Sequence, residues 1–370
     1  MKFSKDYQAF FAMVRAGLWE QDIQLPQYER VNYKAVMRLA EEQSIVGIVT
    51  SGIEHLVDNK IPQDDLWLFI MLALQIEQQN QTLNEYAENL INRLKADNVY
   101  VILVKGQGIA QCYEKPLWRT SGDIDLLLDE ENYEKAKAIL SPMASDVSEY
   151  KSFKHLALTM EGGYVIELHG SLHTRLSSRI DCMLDTLQHE VITDNKVRVW
   201  HNGDSDVLIP IAEIDSIFVF THILHHFYID GVGLRQICDW CRLLYTFRET
   251  IDKSYIESII KSMGLMSEWK AFGALAVNYL GMPIDAMPMY SPKARWSKKA
   301  ERILYYILKY GSFGGNRNFI KDGGRITVKI RSTLRKYGDC IRYMRIFPYD
   351  SIRFLFYILY NGIYVALKGE

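Results

Sequence analysis

The chain has 370 residues, 48% of them hydrophobic, and its 43 Lys and Arg against 45 Asp and Glu give a formal net charge of −2. This composition provides ample core and excludes low-complexity disorder and a histone-like or polyanionic protein. The charge is nevertheless polarised: residues 98–292 carry 17 basic and 26 acidic side chains, whereas residues 293–370 carry 17 and 5.

Length alone suggests roughly two or three domains. Five scattered cysteines, Cys112, Cys182, Cys238, Cys241 and Cys340, do not form a disulfide framework, so a reducing compartment is expected. Asp6 and Arg15 break the N-terminal apolar run, which argues against a secretory signal, and no stretch reaches the ~18 apolar residues of a spanning helix. A cytoplasmic protein is the expectation.

Residues 1–97 repeat apolar side chains at three and four, through Val36, Leu39 and Ala40, then Leu66 to Ile76, then Leu83, Tyr86, Leu90 and Leu94. That period predicts an N-terminal helical region, with Pro62 starting a long helix. The period changes over residues 98–210. Val99–Val104, Ile124–Leu128 and Tyr164–Leu168 read as three strands, with helices over 108–113 and 132–140 between them. Asp129, Glu130 and Glu131 suit the second helix start, and a hairpin around Asn202 and Gly203 follows. Helical spacing returns over 211–370. The fold class predicted is α+β, a small mixed-sheet module flanked by N-terminal and C-terminal helical regions.

Within that module Asp123 and Asp125 are two apart on a strand, so both carboxylates emerge on one face. Such a pair repels itself unless a cation intervenes, and oxygen ligands suit Mg²⁺ or Mn²⁺. Alternation in Tyr164–His169 puts Glu167 on one face with Val165 and His169, so an adjacent strand would bring a third carboxylate beside the pair. Three carboxylates on neighbouring strands suit a metal-assisted phosphoryl or nucleotidyl transfer. Upstream, Lys105-Gly106-Gln107-Gly108 turns from a strand into a helix, where backbone N–H groups, the helix start and the Lys105 charge would meet a phosphate.

These residues carry a resemblance. A strand, a Gly-rich turn into a helix, GDIDLLL at 122–128 and IELH at 166–169 resemble the DNA polymerase β type nucleotidyltransferase superfamily. More closely, they resemble the bacterial uncharacterised nucleotidyltransferases related to aminoglycoside and lincosamide nucleotidyltransferases. The resemblance implies Asp123, Asp125 and Glu167 as catalytic metal ligands, with Glu167 also the base for the acceptor hydroxyl. It implies Lys105, Gly106, Gln107 and Arg119 as nucleotide contacts, Arg119 standing four residues before Asp123. One departure is Gln107 at a position where the superfamily has a small residue. A glutamine there either donates to phosphate or crowds it.

Other motifs carry competing readings. Glu167, His169 and His173 spell E-x-H-x3-H, but the first histidine falls on a strand, which speaks against a metalloprotease-type zinc site. His222 and His226 share a helix face, and Arg235 and Asp239 are one turn apart; these residues read as a helix–helix hydrogen-bonding cluster and an ion pair, or as nucleotide or acceptor contacts. Cys238 and Cys241 read as buried thiols. Arg325, Lys329, Arg331, Arg335, Lys336, Arg342 and Arg345, followed by an aromatic stretch at 354–367, read as a solvated face plus a core helix, or as a peripheral contact with an anionic membrane or polyanion. Specific nucleic-acid binding is not expected.

The function expected is Mg²⁺-dependent transfer of NMP from an NTP to an acceptor hydroxyl or phosphate on a small molecule, sugar, peptide or protein. The alternative is a catalytically silent nucleotide-binding regulatory or scaffold protein of the same fold, for which Gln107 is the supporting feature.

Overall fold

The computed structural model describes residues 3–24, 31–57, 61–150, 154–316, 334–335 and 337–368. Apolar spacing in the first third produces α1 (Lys5–Trp19), α2 (Tyr33–Glu42) and α3 (Val46–Glu54). Helices α1 and α3 meet at Gly17 and Gly52, where an added Cβ would collide with the Ile48 and Met13 carbonyl oxygens. Glycine is therefore required for the two backbones to lie this close. After Pro62 comes α4 (Gln63–Ala96), one helix spanning both later apolar runs. Asp64 and Asp65 in its first turn and Arg93 and Lys95 in its last complement the helix dipole.

The sheet contains β1 (Ile102–Val104), β2 (Asp123–Leu127), β3 (Ala144–Tyr150), β4 (His155–Met160) and β5 (Val165–His169), in the order β1-β2-β5-β4-β3. Only β2 and β5 run parallel. Between β1 and β2 lies the short α5 (Gly106–Ala110); between β2 and β3 lies α6 (Glu130–Leu140), whose first turn is capped by the Asp129 carboxylate accepting from the Asn132 N–H. Helix α7 (Ser178–Ile192) follows, then the hairpin of β6 (Val197–Asn202) and β7 (Ser205–Pro210), which turns through Gly203 at φ +59°. The fold is α+β, a small mixed sheet with helices on either side.

Five strands form this sheet where the sequence suggested three. Strand β3 is a largely exposed polar edge with no apolar alternation to betray it. Strand β4, HLALTM, contains helix-compatible Leu, Ala and Met; it is fixed by pairing with β5 across a turn whose Gly162 and Gly163 have φ of +85° and +81°.

One face of the sheet is apolar. Ile124, Leu126, Ile166, Leu168, Leu156 and Leu158 are all fully buried, packed with Leu83, Ala87, Leu90 and Leu94 of α4 and Tyr133 and Leu140 of α6. At ~25 cal/mol per Å² of buried apolar area, each such side chain contributes about 1.5–3 kcal/mol, enough to fix the register. Because the strand period is two, the same register sends every odd-numbered neighbour to the opposite face.

The C-terminal helices are α8 (Ala212–Ile229), α9 (Leu234–Thr246), α10 (Lys253–Met263), α11 (Met266–Leu280), α12 (Ala294–Tyr310) and α13 (Pro348–Lys368). They share a core with α1, α2, α3 and α7, including Phe220, Trp240, Trp269 and Phe272 in edge and stacked ring contacts. Cys238 and Cys241 are buried free thiols there, as expected. Of the basic residues expected to form one helical face, Arg325, Lys329, Arg331 and Lys336 lie outside the described residues. Arg342 is exposed and donates to Asp339 and to the Tyr310 hydroxyl. Phe354 is buried against Tyr228, whereas Tyr349, Phe356 and Tyr360 are exposed. No described helix is long and apolar enough to cross a membrane.

Candidate active site

The second face of the sheet is polar. Asp125 pairs with Glu167 across β2 and β5, and His155 pairs with His169 across β4 and β5. Asp123, Asp125, Glu167, His169 and His155 therefore point the same way, into a cavity of about 470 Å³. The structure brings together the three carboxylates singled out from the sequence: one oxygen each of Asp123, Asp125 and Glu167 lies within 4.8 Å of the others. This all-oxygen donor set fits Mg²⁺ or Mn²⁺.

Lys105 stands at the end of β1 with φ +59° and ψ −147°, a backbone region costly for any residue with a Cβ. That conformation aims its ammonium at the carboxylates, with Nζ 2.6 Å from Asp125 Oδ1. Burial alone would lower the Lys105 pKa, but Asp125, Glu167 and Asp123 together raise it. The lysine thus remains charged. Asp125 first and burial second raise the Asp123 pKa. Glu167 goes the other way: burial opposes its charge, yet hydrogen bonds from His155 and His169 and the Lys105 charge lower its pKa far below the usual carboxylate range.

Gly106 has φ +38° and lines the cavity, whereas Gln107 does not. Gln107 is buried, and its Nε2 lies 3.3 Å from the Asp123 carbonyl oxygen, to which it donates. Its side chain therefore neither meets nor crowds a phosphate in the cavity; it braces the strand that carries the aspartates.

Arg119 is buried and lines the cavity edge. Its Nε and Nη2 donate to the two oxygens of Asp239 at 3.1 and 2.7 Å, and Nη1 donates to Ser121 at 2.9 Å. Tyr113 donates to the same Asp239 at 2.9 Å. Arg119 is thus paired with a helix carboxylate, not with a strand carboxylate. Nη1 of Arg235 donates to the Thr120 carbonyl at 2.8 Å. Both arginines hold the loop that enters β2.

The far wall is helical. Phe218, His222, His225, His226 and Ile229 of α8 face the cavity at helical spacing, with Arg235, Gln236 and Asp239 of α9 beside them. His222 and His226 share a hydrogen bond between their Nε2 atoms at 2.9 Å, and His225 Nδ1 bonds the Thr174 carbonyl at 2.6 Å. Burial, then Lys105, lowers the His222 pKa well below its ordinary value; burial, then His225, does so for His226. The expected cavity-facing position is present, but these histidine bonds run within α8 and to the Thr174 loop instead of between helices, and both Asp239 oxygens accept from Arg119, where an ion pair with Arg235 was expected.

Sequence reasoning missed His155. Its only signal was alternation in HLALTM followed by Glu161-Gly162-Gly163, a hairpin whose partner strand carries Glu167 and His169. His173, the third member of E-x-H-x3-H, bonds Asp185 at 2.7 Å. Arg335, Arg342 and Arg345 are not among the cavity-lining residues.

A small mixed sheet thus carries an aspartate pair, a third carboxylate on the parallel neighbour and a lysine–glycine turn around one cavity. The chain belongs to the family described as uncharacterised nucleotidyltransferases, whose sequence profile matches residues 29–281. The match runs from the N-terminal helices through the whole sheet and four of the C-terminal helices. No curated protein and no solved structure matches the chain. Family membership supports nucleotidyl transfer as the general chemistry.

Proposed function

We propose that this protein transfers NMP from an NTP to an acceptor hydroxyl or phosphate, with Mg²⁺ or Mn²⁺ held by Asp123, Asp125 and Glu167. The observation that carries this reading is the convergence of those three carboxylates within 4.8 Å on one cavity that Lys105 and Gly106 also line. A bound divalent ion supplies charge neutralisation at the phosphates and activates the attacking oxygen. Lys105 adds a fixed positive charge from the protein itself. Gly106 offers only backbone to a phosphate, so close approach is unobstructed. A cavity of about 470 Å³ falls within the ~300–1,000 Å³ typical of small-molecule sites.

The acceptor hydroxyl must lose a proton. Glu167, with its lowered proton affinity, suits holding a cation better than accepting that proton. His222 on the opposite wall is not favoured as the base either, because burial and then Lys105 lower its proton affinity too. Gln107, buried and donating to the Asp123 carbonyl, leaves the cavity open to a phosphate. The acceptor is a hydroxyl or phosphate on a small molecule, sugar or peptide.

Calorimetric titration of Mg²⁺ with an NTP into Asp125→Ala tests the site. Loss of Mg²⁺-dependent binding is expected; binding equal to that of the unaltered protein contradicts the reading. Pyrophosphate release on addition of an acceptor then separates turnover from binding.

A further inference from the structure

We propose that His155, Glu167 and His169 form a second metal site, selective for a borderline first-row ion such as Zn²⁺, and that Glu167 is shared between it and the aspartate pair. This goes beyond the nucleotidyl-transfer reading, because an imidazole-rich site binds its ion with or without turnover.

His155 and His169 are direct cross-strand partners, and Glu167 lies two residues before His169 on the same face. The three residues come from two adjacent antiparallel strands locked by Leu156, Leu158, Ile166 and Leu168 beneath them. Their positions are thus set by the sheet register and not by a loop. One donor atom from each lies within 4.8 Å of the other two.

The separations are those of donors around one ion. Nε2 of His155 is 3.2 Å and Nε2 of His169 is 3.4 Å from the same oxygen, Glu167 Oε2. Donors bonded at ~2.0–2.1 Å to a four- to six-coordinate centre stand roughly 2.9–3.4 Å apart. Hydrogen bonding accounts for the cluster less well. Nε2 of His169 is also 2.7 Å from Asp125 Oδ1, and its single N–H can be directed at only one of the two carboxylates. The rings are tilted by 59° with centroids 4.9 Å apart, so they converge on the carboxylate from different directions.

Donor chemistry decides which ion. Two imidazoles and one carboxylate select a transition ion over Mg²⁺, whereas the neighbouring Asp123, Asp125 and Glu167 set offers oxygen alone. The two sites therefore differ in preference while sharing a ligand. Other imidazoles face the same cavity, since His222 and His226 bond one another on α8, and the test must separate them.

Cobalt(II), a spectroscopic stand-in for Zn²⁺, is titrated into EDTA-treated full-length protein. Visible ligand-field bands saturating at one ion per chain are expected. His155→Gln and His169→Gln should each weaken cobalt binding at least about tenfold, while Asp123→Asn and His222→Gln retain it. Retention in both His155→Gln and His169→Gln, or loss in His222→Gln alone, overturns the proposal. X-ray absorption of the Zn²⁺-loaded unaltered protein gives a readout independent of variant folding: two imidazole ligands are expected, and an oxygen-only shell overturns the site. Mg²⁺-dependent NTP binding, lost in Asp125→Ala, reports on the transfer reading separately.

Discussion

Lys105 Nζ sits 2.6 Å from Asp125 Oδ1, at a backbone conformation that strains the lysine in order to place its charge there. The ammonium stands where carboxylates would otherwise repel, and it competes with any divalent ion for Asp125. Lys105→Met should therefore raise Mn²⁺ affinity in the absence of nucleotide by about tenfold, roughly 1.4 kcal/mol, while weakening NTP binding. Manganese titration followed by electron paramagnetic resonance measures the first effect. Weaker manganese binding in the variant would show that Lys105 supports the ion site instead of competing with it.

The Arg119 and Asp239 pair is buried on both sides. Removing one partner leaves a charge without its counter-ion, which costs about 3–5 kcal/mol. Arg119→Met should lower denaturant stability by that amount. Adding Asp239→Asn, which keeps an acceptor for the Tyr113 hydroxyl, should restore most of it. A double variant no more stable than the single would refute the charge-pair explanation.

Glu268 is fully buried on α11, and burial followed by Asp350 raises its pKa well above the ordinary 4.5. Asp215 is raised to about 6 by burial, which the Arg198 partner only partly offsets. A group raised on folding lends stability that is complete below its unfolded pKa and is lost as pH rises through the folded one. These two groups thus make the protein lose stability as pH climbs above their ordinary values of 3.8 and 4.5. Glu268→Gln should flatten the dependence and raise the melting temperature at pH ~8. An unchanged slope between the two pH values would count against protonated Glu268.

Gly47 on α3 packs against the backbone of Trp118, where a Cβ would collide with the carbonyl oxygen. The same loop is gripped from α4 by Asn80, whose Nδ2 donates to the Leu117 and Arg119 carbonyls at 2.7 Å each. Overpacking of this kind costs about 1–3 kcal/mol. Gly47→Ala should show that loss in thermal unfolding together with weaker NTP binding, because the displaced loop carries Arg119 towards β2. Stability loss with unaltered NTP affinity would separate the loop from the site.

Near-neutral net charge concealed the local arrangement. Residues 98–210, acidic in sum, contain the clustered carboxylates, and the described arginines of the basic 293–370 segment lie away from the cavity. Sequence alone determined most of the helices, though not α7 (Ser178–Ile192), as well as the shared face of Asp123 and Asp125 and the face of Glu167, because each follows from local periodicity. Register also agrees with the expectation that Glu167 would stand beside the aspartates, since β2 and β5 pair Asp125 directly with Glu167. Tertiary structure decided the rest. His155 reaches Glu167 only through a strand pairing that composition did not signal, Gln107 turns inward to the Asp123 carbonyl, and Arg119 finds Asp239 across 120 residues. Local periodicity fixes which way a side chain points; only the packing of distant elements fixes what it meets.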